Sequence, residues 1–207
     1  MTEKNTQDLQ NGVADDRAGM SFRRLTSEED ISLSRFRGYE RYQEVRECLR
    51  PIDGEWTAVP VEFTEDWGEE DFSALVRMLR NTIGTGGAVF ASIRADGRIA
   101  GFASVEGELF VPDPADMRDE QTGSRKYAVL SCIQVSREMR GCGVGRQLFG
   151  MAKTAGRELG AEALYISAHS SVESQAFYRA MGCTDAVYCC RRLAELEPCD
   201  RQMECPL

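Results

Sequence analysis

The chain has 207 residues and a formal net charge of −9; 42% of its residues are hydrophobic and 29% are charged. This composition is typical of a folded globular protein, and the length suits one domain that can bury a substantial core. The acidic balance argues against a surface for nucleic acid or anionic membranes and is compatible with a cationic substrate such as an amine.

Targeting and redox features favour a cytoplasmic protein with reduced thiols. No apolar run approaches the roughly 20 residues that span a bilayer, and residues 1–20 lack the apolar core of a signal peptide. The eight cysteines include no Cys-x-x-Cys pair, and the one histidine stands at no metal-ligand spacing, so we expect neither a metal nor a disulfide. Cys132 and Cys183 are expected in the core, and Cys142 is expected to be exposed.

In chain order, a polar segment over residues 1–20 is predicted to be a disordered tail, and residues 21–207 are predicted to form a single domain. Ser27, followed by three acidic residues, is typical of a helix start. The elements predicted for the N-terminal half are a strand over 21–26, a helix from Ser27 to Leu49, an irregular stretch over 50–67 and a second helix over 69–82.

Strands and helices alternate in the C-terminal half, which predicts a sheet containing a parallel crossover. Asp96-Gly97 is a hairpin signal. The predicted elements are strands over 88–94 and 98–110, a surface excursion over 111–125, a strand over 127–135, a helix over 144–159, a strand over 164–168, a helix around Phe177, and strands over 186–192 and 202–205.

A glycine-rich turn over residues 140–146 lies between the predicted strand 127–135 and an amphipathic helix. A strand, a glycine-rich turn and a helix in succession aim backbone N–H groups at an anionic phosphate. Arg140 and Arg146 bracket the turn with cations that can bind phosphate oxygens. The turn is therefore predicted to bind a phosphate-containing ligand.

Two common classes of phosphate-binding turn do not fit the residues that follow these glycines. A P-loop needs Lys-Ser/Thr after its last glycine, but Gly145 is followed by Arg146 and Gln147. A dinucleotide-binding turn needs an acidic residue at the end of the next strand, which here ends at His169 and Ser170. Both classes are therefore excluded.

Two motifs carry a resemblance to a known family. Arg140-x-x-Gly143-x-Gly145 resembles the coenzyme A pyrophosphate loop, Arg/Gln-x-x-Gly-x-Gly/Ala, of the GCN5-related N-acetyltransferase (GNAT) superfamily. Residues 171–183 resemble the family helix Asn-x-x-Ala-x-x-Phe-Tyr-x-x-x-Gly-Phe, with Phe177-Tyr178 and Gly182 matching. The positions that depart from this second pattern are Ser171, Ser174 and Cys183.

The resemblance spans residues 21–207 and implies an α/β protein of the GNAT fold, with a seven-stranded mixed sheet flanked by helices and splayed between strands 4 and 5. It also implies acetyl-CoA as cosubstrate, without a metal, and a pantetheine arm that enters the gap between those strands. The residues expected to contact acetyl-CoA are main-chain groups of Ile133 and Val135, the turn residues Arg140, Gly141, Cys142, Gly143, Val144, Gly145 and Arg146, and the helix residues Ser171 and Ser174.

The resemblance places Tyr178 as the general acid that protonates the leaving thiolate, and a neutral phenol with a pKa of about 10 is a competent donor. The general base stays open, because strand 127–135 carries no Asp or Glu. The candidates are Glu106, with Glu108 on the same face of its strand, and His169 at a strand end. A water relay without a single base is a further alternative.

The sequence therefore predicts an N-acetyltransferase that moves an acetyl group from acetyl-CoA directly to a primary amine in a ternary complex. The amine is expected to be a small molecule or a peptide, with no nucleic-acid or membrane partner. The alternative is a non-catalytic module that binds acyl-CoA in a regulatory role. Acyl groups longer than acetyl stay open, as does the oligomeric state, although proteins of this fold commonly form homodimers.

Overall fold

The computed structural model describes residues 19–112 and 125–207. Residues 1–18 of the predicted tail, and residues 113–124 of the predicted surface excursion, lie outside the described part of the chain. Met20, near the start of the described residues, packs against the hydrophobic core.

The first half is richer in strands than the sequence predicts. Its elements are β1 (Ser21–Leu25), short 3-10 turns at Glu28–Asp30 and Leu33–Phe36, β2 (Tyr42–Ile52), β3 (Glu55–Asp66), α1 (Glu69–Gly84), β4 (Ala88–Ile93) and β5 (Ile99–Phe110). The second half contains β6 (Tyr127–Val135), a 3-10 turn at Arg137–Met139, α2 (Val144–Glu158), β7 (Ala163–Ala168), α3 (Val172–Ala180), β8 (Thr184–Asp185), α4 (Arg191–Leu196) and β9 (Arg201–Pro206).

The central sheet has seven strands in the order β1-β4-β5-β6-β7-β9-β8. Neighbouring strands are antiparallel except β6 and β7, which run parallel because α2 crosses between them. These two strands pair only from Tyr127–Ala163 to Val129–Tyr165, so they diverge beyond that point. The predicted mixed sheet and the gap between its fourth and fifth strands are both confirmed.

The two faces of the sheet are covered by different helices. In β4, Ala88 and Phe90 join the core that includes α2, whereas Val89 and Ala91 join the core that includes α1. Successive side chains of a strand point to opposite faces, so α1 and α2 lie on opposite sides of the sheet. No helix in the described residues is long and apolar enough to cross a membrane.

The predicted helix up to Leu49 and the predicted irregular stretch 50–67 are both wrong. These residues form the antiparallel hairpin of β2 and β3. Asp53 and Gly54 form its turn with φ angles of 51° and 86°, and a type I′ hairpin turn needs positive φ at both central positions. The residues after Ser27, which carry the signals of a helix start, form only a short 3-10 turn at Glu28–Asp30, and Ser27 caps this turn.

The predicted strand over 186–192 is also wrong. Only Thr184 and Asp185 form a strand against β9, and α4 begins at Arg191. Ala186, Tyr188 and Cys190 are buried at alternate positions, which gives the sequence the period of a strand. The final strand is confirmed, although it extends from Arg201 to Pro206.

Candidate active site

The glycine turn opens α2 as the sequence predicts. Gly143, the residue before the helix, has a φ of 81° in the left-handed region, which favours glycine. The first helical hydrogen bond is donated by the Gln147 N–H to the Gly143 carbonyl at 3.1 Å. The amides of Val144, Gly145 and Arg146 precede that bond and so have no acceptor within the helix. This end of α2 offers several donors and a partial positive charge to an anion.

Close packing joins this turn to α3. A Cβ at Gly145 would lie 3.1 Å from the ring of Phe177, so a larger residue there would require this ring to shift by a few tenths of an ångström. Arg146 is exposed beside the turn and Cys142 is half-buried, so its thiol is less open than expected. The Arg140 side chain turns back, because its Nε donates a hydrogen bond to the Val135 carbonyl at 3.1 Å.

The edge of β6 that faces the gap carries unpaired main-chain groups. The Ser136 N–H donates to the Ala100 carbonyl, so Gly101 and Val135 form a pair without mutual hydrogen bonds. The peptide groups of Val135, and those of Ile133 two residues earlier, therefore point away from β5 and towards the gap. Of these, the Val135 carbonyl is bonded to Arg140. The geometry suits the predicted role of Ile133 and Val135, which stays a prediction.

Tyr178 lies in α3 beside the gap. Its ring packs against Phe177, with centroids 5.2 Å apart, and against Phe149 at 6.3 Å. Burial raises the pKa of Tyr178 well above its ordinary value, and Cys132 and Asp200 raise it further. Tyr178 is therefore a neutral phenol at neutral pH, with its hydroxyl near β6 on one side and the start of β9 on the other.

The Cys132 thiol is not activated. Cys132 on β6 is half-buried, and burial raises its pKa to about 12. Cys183 after α3 is buried, as predicted. No cysteine among the described residues takes part in a disulfide, and no group of three or more potential ligands there could hold a metal.

Glu106 lies away from the open part of the gap. It falls in an irregular stretch of β5, between the pairs Val105–Leu130 and Leu109–Ala128, where β6 and β7 still run together. Its carboxylate accepts a hydrogen bond from the Arg192 guanidinium at 3.0 Å. The geometry therefore gives no support to Glu106 as the base, and its role stays a prediction.

His169 lies at the end of β7, but both of its ring nitrogens are engaged. Nδ1 accepts a hydrogen bond from the Ser171 N–H at 3.2 Å, and Nε2 lies 3.5 Å from Oε1 of Glu65. An acceptor at Nδ1 requires the proton of the neutral ring to sit on Nε2, facing Glu65. Neutral His169 thus has no free lone pair for a substrate proton, and this arrangement favours a positioning role.

Ser171 and Ser174 serve the start of α3. The Ser171 hydroxyl accepts a hydrogen bond from the Ser174 N–H at 3.3 Å, which caps the helix. Strand β2 covers this point, since the Leu49 N–H donates to the Ser170 carbonyl at 2.8 Å and Ser171 is fully buried. The predicted contacts of both serines with acetyl-CoA stay predictions, and the Ser171 hydroxyl is already engaged within the protein.

Arg41, just before β2, and Glu65 of β3 are polar residues that the sequence analysis missed. Arg41 is 6% exposed and donates a hydrogen bond to Glu65 at 2.7 Å, and its guanidinium lies 5.6 Å from the ring centroid of Trp67. The Arg41 Nε and the Tyr39 hydroxyl have no hydrogen-bond partner within the described residues. Because the hairpin was predicted as helix and loop, nothing in the sequence aligned these residues with β6 and β7.

Asp200, immediately before β9, is a second residue that the sequence analysis missed. One carboxylate oxygen, Oδ2, accepts a hydrogen bond from the Ser167 hydroxyl of β7 at 3.4 Å. Burial raises the pKa of Asp200 to about 6, although His169 nearby lowers it. The sequence shows a carboxylate shortly before the predicted final strand, but nothing in it indicates that this strand pairs with β7.

A family model described as the acetyltransferase (GNAT) family matches residues 52–183. No curated protein matches the sequence significantly. Nourseothricin acetyltransferase is structurally similar, with a TM-score of 0.58, 21% identity and coverage of 91% of this chain and 98% of that one. A protein from Bacillus anthracis str. Ames, assigned to the streptothricin acetyltransferases and solved with acetyl coenzyme A, gives a TM-score of 0.60 at 15% identity, covering 90% and 95%.

AtaT complexed with acetyl-methionyl-tRNAfMet is also similar, with a TM-score of 0.56, 13% identity and coverage of 90% of this chain and 94% of that one. At these identities the structural likeness supports the fold alone. The family model, by contrast, matches more than half of the chain and includes both motifs up to Cys183. The chain belongs to the GNAT acetyltransferase family.

Proposed function

We propose that this protein is an N-acetyltransferase that transfers an acetyl group from acetyl-CoA directly to a primary amine. The observation that carries the proposal is the gap between β6 and β7. The free amides of α2 lie at one end of it, the unpaired edge of β6 forms one wall, and the neutral phenol of Tyr178 lies beside it. In this arrangement the amides suit the phosphates, the edge of β6 suits the pantetheine arm, and the phenol suits the departing thiolate.

The residues of the gap fit acetyl-CoA. The amides of Val144, Gly145 and Arg146 would bind the diphosphate, and the peptide groups of Ile133 would pair with the pantetheine arm. When bound, acetyl-CoA supplies a thioester whose carbonyl carbon can be attacked by a neutral amine. Tyr178 would then hold the proton that the departing sulfur needs, because burial keeps its hydroxyl protonated.

The acceptor that we propose is a small-molecule or peptide amine. The net charge of −9 favours a cationic acceptor, and two of the similar structures are named as acetyltransferases of small molecules, nourseothricin and streptothricin. Another similar structure, AtaT, contains a tRNA. The acidic balance of this chain supports a free amine over an RNA-borne one.

Tyr178→Phe tests the proposed role of the phenol. We expect kcat to fall by about 10²-fold or more with little change in acetyl-CoA affinity, because the ring is kept and only the proton donor is lost. The measurement is thiol release from acetyl-CoA across a panel of amines.

Tyr127→Phe is the matched control, since it removes a buried phenol from the part of β6 that still pairs with β7. Wild-type turnover by Tyr178→Phe would eliminate the acid role. Acetyl-CoA binding by the wild-type protein without release for any amine would favour a non-catalytic acyl-CoA-binding module instead.

A further inference from the structure

We propose that Asp200 is the general base that accepts a proton from the ammonium form of the acceptor amine, an inference that rests on the proposed acetyltransferase function. Asp200 lies in none of the sequence motifs. Its placement in the fold, the residues around it and the engagement of the other candidates each support this role.

The sheet register places Asp200 level with the open part of the gap, one strand away from it. Strand β9 pairs with β7 through Ala168–Arg201 and Ser167–Gln202, so Asp200 comes level with the last residues of β7. Pairing between β6 and β7 ends three residues before that, at Val129–Tyr165. Because β9 borders β7 on the side away from β6, the carboxylate lies across β7 from the gap, level with the residues of β7 that no longer pair with β6.

Groups from four elements surround this carboxylate. The Ser167 hydroxyl of β7 donates to Oδ2, and no residue in the described part of the chain binds Oδ1. His169 after β7, Glu65 of β3 and Glu197 after α4 all act on its charge. Asp200 in turn acts on the phenol of Tyr178 in α3. The proposed base thus lies near the proposed acid, with one oxygen available to a substrate.

The other acidic and basic candidates are already committed to ion pairs or hydrogen bonds. Glu65 accepts a hydrogen bond from Arg41 at 2.7 Å, and Glu106 accepts one from Arg192 at 3.0 Å. Both nitrogens of His169 have partners. Asp200 has only the weak hydrogen bond from Ser167, at 3.4 Å, so its carboxylate retains most of its capacity to accept a proton.

The protonation state suits the role. Burial raises the pKa of Asp200 to about 6, so the group is ionised at neutral pH yet basic enough to take a proton. A general base is most effective when its pKa lies near the working pH. An ordinary exposed aspartate, with a pKa of about 3.9, would be a much weaker acceptor.

The proton balance closes without any further reactant. Asp200 takes one proton from the ammonium group, which frees the nitrogen lone pair to form the C–N bond as the C–S bond breaks. The nitrogen loses a second proton, which replaces the one that Tyr178 donates to sulfur. Amide and thiol are formed, and the single proton that Asp200 returns to solvent is the only other product.

Asp200→Asn is the central test, measured as kcat against pH with saturating acetyl-CoA and amine. We expect kcat to fall by about 10²-fold near pH 7. The rising limb of the pH profile of kcat, whose apparent pKa is near 6, should disappear. Asp200→Glu should recover part of the rate together with the limb. Glu197→Gln is the matched control, because it removes a neighbouring acidic charge that raises the pKa of Asp200; it should keep the plateau rate and move the limb to lower pH.

Ser167→Ala gives a second readout that does not require removing the base. The Ser167 hydrogen bond lowers the pKa of Asp200, so its loss should move the same limb to higher pH. Wild-type rate and an unchanged limb in Asp200→Asn, or an unmoved limb in Ser167→Ala, would overturn the inference. Absence of amine-dependent turnover in the wild-type protein would instead overturn the proposed function, so the two failures are distinguishable.

Discussion

The Asp200 carboxyl group has an energetic cost to the fold at neutral pH. Burial favours its protonated form and raises its pKa to about 6, compared with about 3.9 in an unfolded chain. Between these two values the folded protein binds a proton that the unfolded chain does not. Stability therefore falls as pH rises through this window, and the full cost is present above pH 6. Sites that sacrifice stability in this way are commonly functional.

Asp200→Asn is predicted to stabilise the protein above pH 6 while it lowers activity. Removing the partly buried charge should raise the free energy of unfolding by about 1–2 kcal/mol at pH 7.5, after allowance for solvent screening. Below about pH 3 the difference should vanish, because the carboxyl group is then largely neutral in both states. Urea denaturation at the two pH values checks this, and equal or lower stability of the variant at pH 7.5 would contradict it.

Residues within a short motif were predictable, but residues assembled from distant segments were not. Tyr178 and the turn from Arg140 to Arg146 lie within spacings that a sequence displays directly. Asp200 approaches Ser167 only because β9 folds back antiparallel to β7. Strand pairing over this distance is set by the whole sheet, so the carboxylate had no local signal.

Among the elements, β2 shows how a strand can imitate a helix. Val45 and Cys48 of β2 are buried, as is Arg41 just before the strand. These three residues have the i, i+4 and i+7 spacing of a helical face. The register shift between Val45 and Glu47 is an irregularity that breaks the two-residue alternation. The Asp53-Gly54 dipeptide is a hairpin signal that argues against a helix in this region. The same kind of signal, Asp96-Gly97, correctly predicted the hairpin of β4 and β5.

We predict that cofactor affinity depends on the start of α2. Gly143→Ala would place a Cβ on a residue with a φ of 81°, at a cost of about 1–2 kcal/mol. The turn should therefore shift, and its backbone N–H groups should no longer point to the same place. We predict at least about tenfold weaker binding of acetyl-CoA in calorimetry. Gly150→Ala is the matched control, because this exposed position within α2 has open space around it. Equal affinity in both variants would contradict the role of the turn.

At the scale of the whole molecule, we propose that the two substrates approach from opposite faces of the sheet. The face covered by α2 and α3 carries the free amides and Tyr178. The β2–β3 hairpin brings acidic and aromatic residues such as Glu65 and Phe63 to His169, at the end of β7. The strand, turn and helix periodicities in residues 88–168 predicted the central sheet, whereas the hairpin lies outside that sheet and escaped prediction.

Binding of acetyl-CoA to the wild-type protein tests the account most directly, since every proposed role depends on it. A calorimetric titration, paired with thermal unfolding at increasing acetyl-CoA, requires no knowledge of the amine. We predict saturable heat with one molecule bound per chain and a melting temperature that rises with ligand concentration. A well-folded protein that shows neither heat nor thermal stabilisation would contradict the account.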